Sequence, residues 1–303
     1  MERQKLKGIL DGKVIGRVIY NEEMKKHTTF KIGGPVDAMI IPENENEMID
    51  AVKILRANNI DFMIIGNGSN LLISDKGIRG VVIKTGDEFN DIKVKGDKIF
   101  CQAGALLSKI SNIALKNDLK NFEFASGIPG SIGGAMVMNA GAYGGEMKDV
   151  VMKVRALDKE GNIEEYTNKE MNFRYRNSRV WDEGLIVLAV ELALEKGDYR
   201  EIKEKIDELT CKRTSKQPLE YPSGGSTFKR PEGYYAGKLI DDSGLRGIRY
   251  RGAMVSEKHC GFVINVDNAT CSDVLHLIDV VKKVVRDKFG VELEREIKLI
   301  GDE

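Results

Sequence analysis

The segment Gly127-Ile-Pro-Gly-Ser-Ile-Gly-Gly134, continued by Asn139-Ala-Gly-Ala-Tyr-Gly-Gly145, decides how this sequence is interpreted. It holds seven glycines in 19 residues. Glycine costs about 0.5–1 kcal/mol relative to alanine where regular structure forms, so such a cluster indicates backbone held close to a bulky or phosphorylated ligand. A flexible linker is the alternative, and the interleaved apolar residues Ile128, Ile132 and Met136 argue against it.

An earlier glycine segment, Gly66-Asn-Gly-Ser-Asn70, directly follows the apolar run Phe62–Ile65; it is the first glycine segment of the chain, and residues 127–145 form the second. Glycines let backbone N–H groups approach an anion, and Ser69 and Asn70 add side-chain donors. The segment matches neither the GxGxxG fingerprint nor the P-loop. An ordinary tight turn remains an alternative for this segment alone. Two such segments in one chain suit a dinucleotide ligand.

Apolar periodicity elsewhere predicts alternating strands and helices, and therefore an α/β or α+β chain. The predicted strands are Ala38–Ile41, Phe62–Ile65, Leu71–Ile73, Val81–Ile83, Val150–Leu157, Leu185–Leu194, Phe262–Asn265 and Glu292–Ile300. The predicted helices run from the capping pair Asn44/Glu47 to about Asn58, over Leu106–Ala114, from Tyr199 to about Leu209, and over Gly237–Ser243 and Ser272–Lys288.

Length and charge limit the classes of protein to which this chain can belong. At roughly one domain per 150 residues, the 303 residues predict two or three domains. The 47 basic residues balance 47 acidic ones, so no net charge favours nucleic acid or an anionic membrane. No run approaches the ~20 apolar residues of a membrane-spanning helix. The charged residues Met1–Lys5 lack the apolar core of a signal peptide. We therefore expect a cytoplasmic protein with no nucleic-acid, membrane or obligate protein partner.

Cysteine and histidine spacing argues against metal and disulfide chemistry. The four cysteines form no CxxC pair, and the three histidines are far apart in sequence. We therefore predict no metal site and no disulfide framework.

Three polar features could carry chemistry. Arg174-Tyr-Arg-Asn-Ser178 offers guanidinium groups suited to carboxylate or phosphate, with a surface arginine pair as the alternative. Ser226 follows two glycines but has no nearby histidine base, so we expect a proton donor or a simple turn serine rather than a nucleophile. Glu294 and Glu296 are expected to share one face of the last strand, or to form a solvated strand end.

Seven segments together resemble, in the same order, the MurB family of UDP-N-acetylenolpyruvoylglucosamine reductases, and the resemblance covers nearly the whole chain. Each segment alone is weakly specific, but all seven in this order and spacing are highly specific. The segments are His27-Thr-Thr-Phe-Lys-Ile-Gly-Gly34, Gly66-Asn-Gly-Ser-Asn-Leu-Leu72, Gly127-Ile-Pro-Gly-Ser-Ile-Gly-Gly134, Tyr175-Arg-Asn-Ser178, Gly225-Ser-Thr-Phe-Lys-Arg-Pro231, Ala236-Gly-Lys-Leu-Ile240 and Leu293-Glu-Arg-Glu-Ile-Lys-Leu-Ile-Gly301. Because only a short segment joins Arg179 to the strand at Leu185, the chain resembles the shorter subtype that lacks a tyrosine-bearing insertion.

The resemblance implies an α+β fold. An FAD-binding fold of the vanillyl-alcohol-oxidase (PCMH) type would occupy two subdomains, residues 1–85 and 86–195. A C-terminal α+β substrate domain would occupy residues 196–303, and its final strand near 292–301 could pack back on the FAD domain. FAD would be noncovalent, because the first glycine segment has no histidine for covalent attachment.

The resemblance also implies the binding residues. The implied FAD-binding residues are Gly66, Asn67, Gly68, Ser69, Asn70, Gly127, Pro129, Gly130, Ser131, Gly133, Gly134 and Asn139. The implied substrate-binding residues are Tyr175, Lys216, Tyr221, Gly225, Lys229 and Arg230.

The implied reaction reduces UDP-N-acetylglucosamine enolpyruvate to UDP-N-acetylmuramate for peptidoglycan synthesis. NADPH reduces FAD, and reduced FAD gives a hydride to the enolpyruvyl methylene carbon. Arg176 would stabilise the developing enolate, and Ser226 would protonate the neighbouring carbon. Glu296 would assist at the same centre, where burial and a neighbouring charge can keep a glutamate protonated.

Two other functions compete with this interpretation. An oxidase of the same fold would need a base to deprotonate its substrate. A non-catalytic nucleotide-binding protein would not need Arg176, Ser226 and Glu296, and their presence argues against it.

Overall fold

A computed structural model describes residues 3–14, 16–86 and 88–301, so the charged N-terminal segment considered above begins outside the described part. The chain folds into two units. The first unit contains the chain up to Ile19, Ala38–Asn67 and Gly80–Arg213. The second contains Tyr20–Asp37, Gly68–Arg79 and the chain from Thr214 onward. The division into residues 1–85, 86–195 and 196–303 stays a prediction.

Helices and strands alternate along the described chain. The strands are β1 (Arg17–Glu23), β2 (Pro35–Ile41), β3 (Phe62–Ile65), β4 (Leu71–Ile73), β5 (Ile78–Lys84), β6 (Ile92–Lys95), β7 (Lys98–Gln102), β8 (Leu119–Lys120), β9 (Gly141–Ala142), β10 (Gly145–Glu146), β11 (Val151–Leu157), β12 (Ile163–Thr167), β13 (Ile186–Ala193), β14 (Glu195–Lys196), β15 (Arg249–Tyr250), β16 (Ala253–Val255), β17 (Val263–Asn265) and β18 (Lys298–Ile300). The α-helices are α1 (Arg3–Leu10), α2 (Glu45–Ala57), α3 (Leu107–Lys116), α4 (Ile132–Met138), α5 (Arg179–Glu183), α6 (Tyr199–Lys216), α7 (Ala236–Asp242) and α8 (Cys271–Phe289). Short 3₁₀ turns cover Met24–His27, Glu123–Ala125 and Met147–Asp149.

No helix within residues 3–14, 16–86 and 88–301 is both long enough and apolar enough to span a lipid bilayer.

The predicted β-α-β arrangement opens the first unit and leads into the first glycine segment. Strands β2, β5 and β3 follow one another in one sheet, and β3 runs parallel to β5. Helix α2 begins at the predicted cap, where the Asn44 side chain accepts a hydrogen bond from Glu47 N at 3.1 Å. Its buried face includes Met48, Val52 and Leu55, which recur at helical spacing.

An antiparallel five-stranded sheet, in the order β12-β11-β13-β7-β6, forms the rest of the first unit. Its core contains Phe89, Phe122, Met136 and Val154, all at most 1% exposed. Helices α3 and α4 contribute to this core, and α4 begins inside the second glycine segment. The glycine segment is therefore part of the packed structure, which contradicts the flexible-linker alternative.

The second unit combines the antiparallel sheet β15-β16-β17 with α7 and α8. Helix α8 begins with a capping box of Thr270 and Asp273 and ends at Gly290, which has a left-handed φ of 67°. Strand β18 pairs in parallel with β4, so the last strand lies beside the chain that follows the first glycine segment.

Two predicted boundaries were wrong. Helix α6 continues to Lys216 instead of ending near Leu209, so Lys216 lies at a helix end and not in the following loop. The expected strand Glu292–Ile300 is confined to Lys298–Ile300. The stretch before it pairs with a different segment through a single bridge, Phe228↔Arg295, so consecutive parts of this extended chain have different partners.

The carboxylate of Asp75 binds the first turn of α8. It accepts hydrogen bonds from Cys271 N at 2.7 Å, Ser272 N at 3.0 Å and Ser272 Oγ at 2.8 Å. The first N–H groups of a helix have no partner inside the helix, and a negative charge there is favourable. Asp75 thus connects the loop after β4 to α8.

Replacing Asp75 by Ala should lower the stability of the protein by about 1–2 kcal/mol, because N-terminal N–H groups of α8 lose their acceptor. A lowered thermal unfolding midpoint would reveal this loss. Asp279, exposed on α8, provides the matched control Asp279→Ala, which should leave the midpoint nearly unchanged. Equal midpoints for Asp75→Ala and wild type would contradict this role of Asp75.

Candidate functional site

The first glycine segment is divided between the two units. Gly66 and Asn67 belong to the first unit, and Gly68, Ser69 and Asn70 belong to the second.

In the first unit, the end of β3 lies directly against the second glycine segment. A Cβ added to Gly66 would lie 2.1 Å from the Ser131 Oγ, so no other residue fits there without movement. The Asn67 Nδ2 donates a hydrogen bond to the Pro129 carbonyl oxygen at 2.8 Å. Two segments that the sequence predicted to bind one ligand are therefore in contact.

Backbone hydrogen bonds hold the second glycine segment in place. Ile132 N donates to Ala105 O, and Gly133 N donates to Ala103 O, both at 2.8 Å. Leu107 N donates to Gly130 O at 3.0 Å. A Cβ on Gly133 would meet the Ala103 Cβ and carbonyl oxygen at 3.0 Å, so this glycine is needed for close backbone packing.

Gly134 and Gly127 differ from Gly133 in their surroundings. Gly134 is exposed, and a Cβ there would meet only the Ser131 Oγ, at 3.5 Å. Gly127 is also exposed, and a Cβ there would lie 2.9 Å from the Arg213 Cδ. Gly134 thus presents bare backbone at the surface of its unit, whereas Gly127 makes room for an arginine.

The arginine beside Gly127, Arg213, was not predicted as a site residue. Its guanidinium is largely buried, and the Nε forms no hydrogen bond with any described residue. Burial lowers the pKa of Arg213, and the nearby Tyr143 opposes that shift. The sequence carried no signal for it, because Arg213 is one of several basic residues of the charged helix α6.

The predicted Arg176 lies in a tight turn of the first unit. Arg174 and Asn177 exchange two backbone hydrogen bonds, at 2.9 and 3.2 Å, and leave Tyr175 and Arg176 at the tip. Arg176 has a left-handed φ of 54°, which is unfavourable for a residue with a side chain. Its guanidinium lies 5.0 Å from the centre of the Tyr175 ring.

The predicted FAD-binding residue Asn139 is 1% exposed, and its side chain binds the protein itself. Its Nδ2 donates to Glu146 Oε2 at 2.6 Å and to Arg174 O at 3.3 Å, while its Oδ1 accepts from Lys148 N at 3.0 Å. Asn139 ends α4 in a left-handed conformation. It therefore connects the end of the second glycine segment to the turn that carries Arg176.

In the second unit, the other half of the first glycine segment lies beside the predicted catalytic glutamate. Gly68 has a φ of 62°, and a Cβ there would lie 2.1 Å from the His27 carbonyl oxygen. The Asn70 Nδ2 donates to Glu296 O at 3.3 Å, and Lys298 N donates to Asn70 O at 2.9 Å. Asn70 is thus hydrogen-bonded to Glu296 and to Lys298, where β18 begins.

The segments of Ser226 and Glu296 are joined through Thr227, which directly follows Ser226. Glu296 N donates to Thr227 O at 2.9 Å, and Lys229 N donates to Glu294 O at 2.9 Å. This pairing places the Ser226 segment antiparallel to the Glu296 segment. The structure therefore brings two of the three predicted catalytic residues onto adjacent extended segments of one unit.

Charged side chains cluster on the same two segments. The Lys229 Nζ lies 2.7 Å from the Glu294 Oε2, and this bond lowers the pKa of Glu294. Lys298, which was not predicted, has a lowered pKa because it is partly buried and faces Lys229, while the charge of Glu296 opposes the shift. Its place two residues after Glu296 in extended chain was a usable sequence signal.

Of the remaining predicted substrate residues in the second unit, three are exposed and Gly225 is half-buried. Lys216 and Tyr221 are exposed, and the Arg230 guanidinium lies 4.1 Å from the centre of the Tyr235 ring. Gly225 has a φ of 79° with open space where a Cβ would be. Nothing in these positions selects a ligand by itself.

No group of three or more His, Cys, Asp or Glu side chains suited to a metal ion occurs in the described part of the chain. The four cysteines are free, with Cys101, Cys260 and Cys271 buried and Cys211 exposed.

Two family models match parts of the chain. Residues 36–167 match the family model described as an FAD binding domain. Residues 217–300 match the model described as the C-terminal domain of UDP-N-acetylenolpyruvoylglucosamine reductase.

Curated relatives cover almost the whole chain. The UDP-N-acetylenolpyruvoylglucosamine reductase of Caldanaerobacter subterraneus subsp. tengcongensis is 56% identical over 98% of this chain and 97% of its own. The enzyme of the same name from Clostridioides difficile is 53% identical over 93% of each chain. The crystal structure of the Thermus caldophilus reductase (MurB) is 34% identical, with a TM-score of 0.80, covering 93% of this chain and 98% of that chain.

Two neighbouring glycines test the packing of the second segment. Gly133→Ala should lower the stability by about 1–3 kcal/mol, since the new methyl group would overlap Ala103. Gly134→Ala should be neutral or slightly stabilising, because its surroundings are open and alanine favours helix. Thermal unfolding of both variants after removal of bound ligands measures the difference, and equal stabilities would contradict the packing described for Gly133.

Proposed function

The chain belongs to the UDP-N-acetylenolpyruvoylglucosamine reductase family, and on that premise we propose how its residues serve the NADPH-dependent reduction of UDP-N-acetylglucosamine enolpyruvate. The α+β fold with an FAD-binding domain and a MurB-type C-terminal domain, predicted from the sequence, is confirmed. The protein is an FAD-dependent oxidoreductase of peptidoglycan synthesis. When bound, FAD accepts a hydride from NADPH and supplies it to the enolpyruvyl double bond.

The residues of the first unit fit FAD. Gly66, Asn67 and the segment from Gly127 to Gly134 form a backbone surface held by hydrogen bonds, and Gly134 leaves room for a ligand. The buried Arg213 guanidinium carries an unused Nε donor beside this surface. Bare backbone and a buried cation are what a diphosphate-containing ligand needs. We assign FAD binding to this surface and, in the second unit, to Gly68, Ser69 and Asn70.

For Asn139 we propose a supporting role in place of direct contact with FAD. Its buried amide is used within the protein, so it supports the site by holding the Arg174–Asn177 turn. Arg176 at the tip of that turn would bind the substrate carboxylate, whose negative charge grows as hydride is added to the adjacent double bond. A guanidinium held in advance at such a point stabilises the transition state.

Ser226 and Glu296 would handle the proton. The observation that carries this proposal is the Glu296 N–Thr227 O hydrogen bond, because it joins the segments of both residues. Ser226 would donate its hydroxyl proton to the substrate carbon next to the carboxylate. Glu296 would assist that transfer and restore the proton.

The cations of the second unit would hold the anionic groups of the substrate. Burial and the nearby charge of Lys229 lower the pKa of Lys298, and Arg230 directly follows Lys229. Mutual repulsion between two ammonium groups is relieved when an anion binds. We therefore propose Lys216, Tyr221, Lys229 and Arg230 for the substrate diphosphate and carboxylate.

Competing functions differ in what returns the reduced flavin to its oxidised form. An oxidase would use oxygen, whereas the reductase uses the enolpyruvyl sugar, and a non-catalytic protein would use neither. The cytoplasmic location and the lack of an obligate protein partner stay predictions, and only the small-molecule UDP-sugar substrate is established by the family.

Replacing Ser226 by Ala tests the proton donor. Reduction of the flavin by NADPH should be unchanged, and reoxidation by UDP-N-acetylglucosamine enolpyruvate should slow about 10²–10⁴-fold, the usual contribution of a positioned acid. Anaerobic stopped-flow absorbance of the flavin measures both steps separately.

The control is Ser243→Ala, a serine at the end of α7 in the same unit, which should change neither step. A loss of only a few-fold in Ser226→Ala would remove Ser226 from the donor role. Return of the wild-type flavin bands with oxygen alone would favour the oxidase.

Replacing Arg213 by Met should weaken FAD binding by about 10-fold or more, because a charge-assisted hydrogen bond contributes roughly 1.5–3 kcal/mol. Flavin fluorescence during titration of the apoprotein with FAD measures the dissociation constant. Lys212→Met removes a charge from the adjacent residue, which pairs with Glu208, and should have little effect. Unchanged FAD affinity in Arg213→Met would show that the guanidinium serves packing alone.

A further inference from the structure

Thr227 lies between the segments of Ser226 and Glu296, and the sequence resemblance assigned it no role. It is fully buried, at 0% exposure. Its backbone oxygen accepts the Glu296 N–H at 2.9 Å. Thr227 therefore adjoins Ser226 along the chain and binds Glu296 through its backbone oxygen.

Two more hydrogen bonds attach Thr227 to the segment that leads into β17. Thr227 N donates to Gly261 O at 2.8 Å, and the Thr227 Oγ1 accepts from Val263 N at 2.8 Å. Thr227 thus has three hydrogen bonds to two segments distant in sequence. Only the bond to Val263 uses the side chain, so it is the bond that substitution can remove.

Gly225, which directly precedes Ser226, adds little restraint, whereas Gly224 before it is buried against Phe30. Gly225 has a φ of 79° and no neighbouring atom within 4 Å of an added Cβ. Glycine is the most flexible residue of the backbone. Thr227 is therefore the directly adjoining residue of Ser226 that is held by hydrogen bonds to other segments.

The surroundings of Val263 strengthen the side-chain bond. Val263 is 0% exposed, so its N–H has no access to water if the threonine hydroxyl is removed. A buried N–H without a partner is costly, and the backbone would move to satisfy it. Such movement would shift Thr227 and, with it, Ser226 relative to Glu296.

We propose that Thr227 is a positioning residue for proton transfer, which holds Ser226 and Glu296 in register through its hydroxyl and its two backbone groups. This inference rests on the roles proposed for Ser226 and Glu296. Thr227 itself does not contact the reacting atoms. Its effect should appear in the step that needs the proton and not in the reduction of the flavin by NADPH.

A matched pair of variants separates the hydroxyl from the rest of the side chain. Thr227→Val keeps the shape and removes the acceptor, while Thr227→Ser keeps the acceptor and removes one methyl group. Reoxidation of the flavin by UDP-N-acetylglucosamine enolpyruvate should slow by up to about 100-fold in Thr227→Val, the order of loss expected for a displacement near 1 Å. Thr227→Ser should retain most of the wild-type rate.

Two further readouts distinguish positioning from general destabilisation. The solvent deuterium isotope effect on reoxidation should rise in Thr227→Val, because proton transfer becomes the slower event. Ser256→Ala removes another buried hydroxyl of the second unit, which accepts from Lys258 N and His259 N, each at 3.2 Å. That control should lower the thermal midpoint without changing the ratio of the two half-reaction rates.

The double variant Ser226→Ala/Thr227→Val completes the test. If Thr227 acts through Ser226, Thr227→Val should have almost no further effect on reoxidation once Ser226 is Ala. The inference is overturned by a wild-type rate in Thr227→Val, by an equal loss in Thr227→Ser, or by an unchanged effect in the Ser226→Ala background. Failure of the proposed function would instead be seen in wild type or in Ser226→Ala alone, before any Thr227 variant is compared.

Discussion

The missing side chain of Gly66 sets the geometry of the first unit. A Cβ there would lie 2.1 Å from the Ser131 Oγ, so glycine lets β3 end against the second glycine segment without displacing that hydroxyl. That contact, together with the Asn67–Pro129 hydrogen bond, makes the two segments one surface. The surface is rigid, since the backbone of Ile132 is bonded to Ala105 inside a packed core. A rigid backbone surface binds a planar, phosphorylated cofactor without an ordering cost at the time of binding.

Backbone hydrogen bonds also organise the second unit, where extended segments from distant parts of the chain lie side by side. Asn70 and Thr227 both bond to Glu296 through its backbone groups, so the glutamate's segment is held from two directions. Main-chain bonds are well suited to this task, because they fix the position of a segment whatever its side chains do. Lys229 and Lys298 belong to the same hydrogen-bonded segments, so the backbone positions that carry these two charges are fixed.

The structure around Arg176 keeps this residue in a strained backbone conformation. A non-glycine residue with a φ of 54° costs about 1–3 kcal/mol, and the turn persists because Arg174 and Asn177 bond to each other on both sides. Asn139 adds a buried hydrogen bond to Arg174 O. The sequence resemblance placed Asn139 on the cofactor, whereas its contacts connect α4 to this turn. This buried amide fixes the end of the second glycine segment relative to the Arg174–Asn177 turn.

Local rules in the sequence determined much of the fold. The Asn44 cap and the spacing of Met48, Val52 and Leu55 were sufficient for α2, and the two glycine segments were recognisable by composition. Tertiary structure alone decided the end of α6, the short length of β18, the burial of the Arg213 Nε and the hydrogen bonds of Thr227. The physical reason is that caps and periodicity depend on near neighbours. Backbone pairing and burial depend on partners far away in sequence, such as Asn70 and Glu296, which are 226 residues apart.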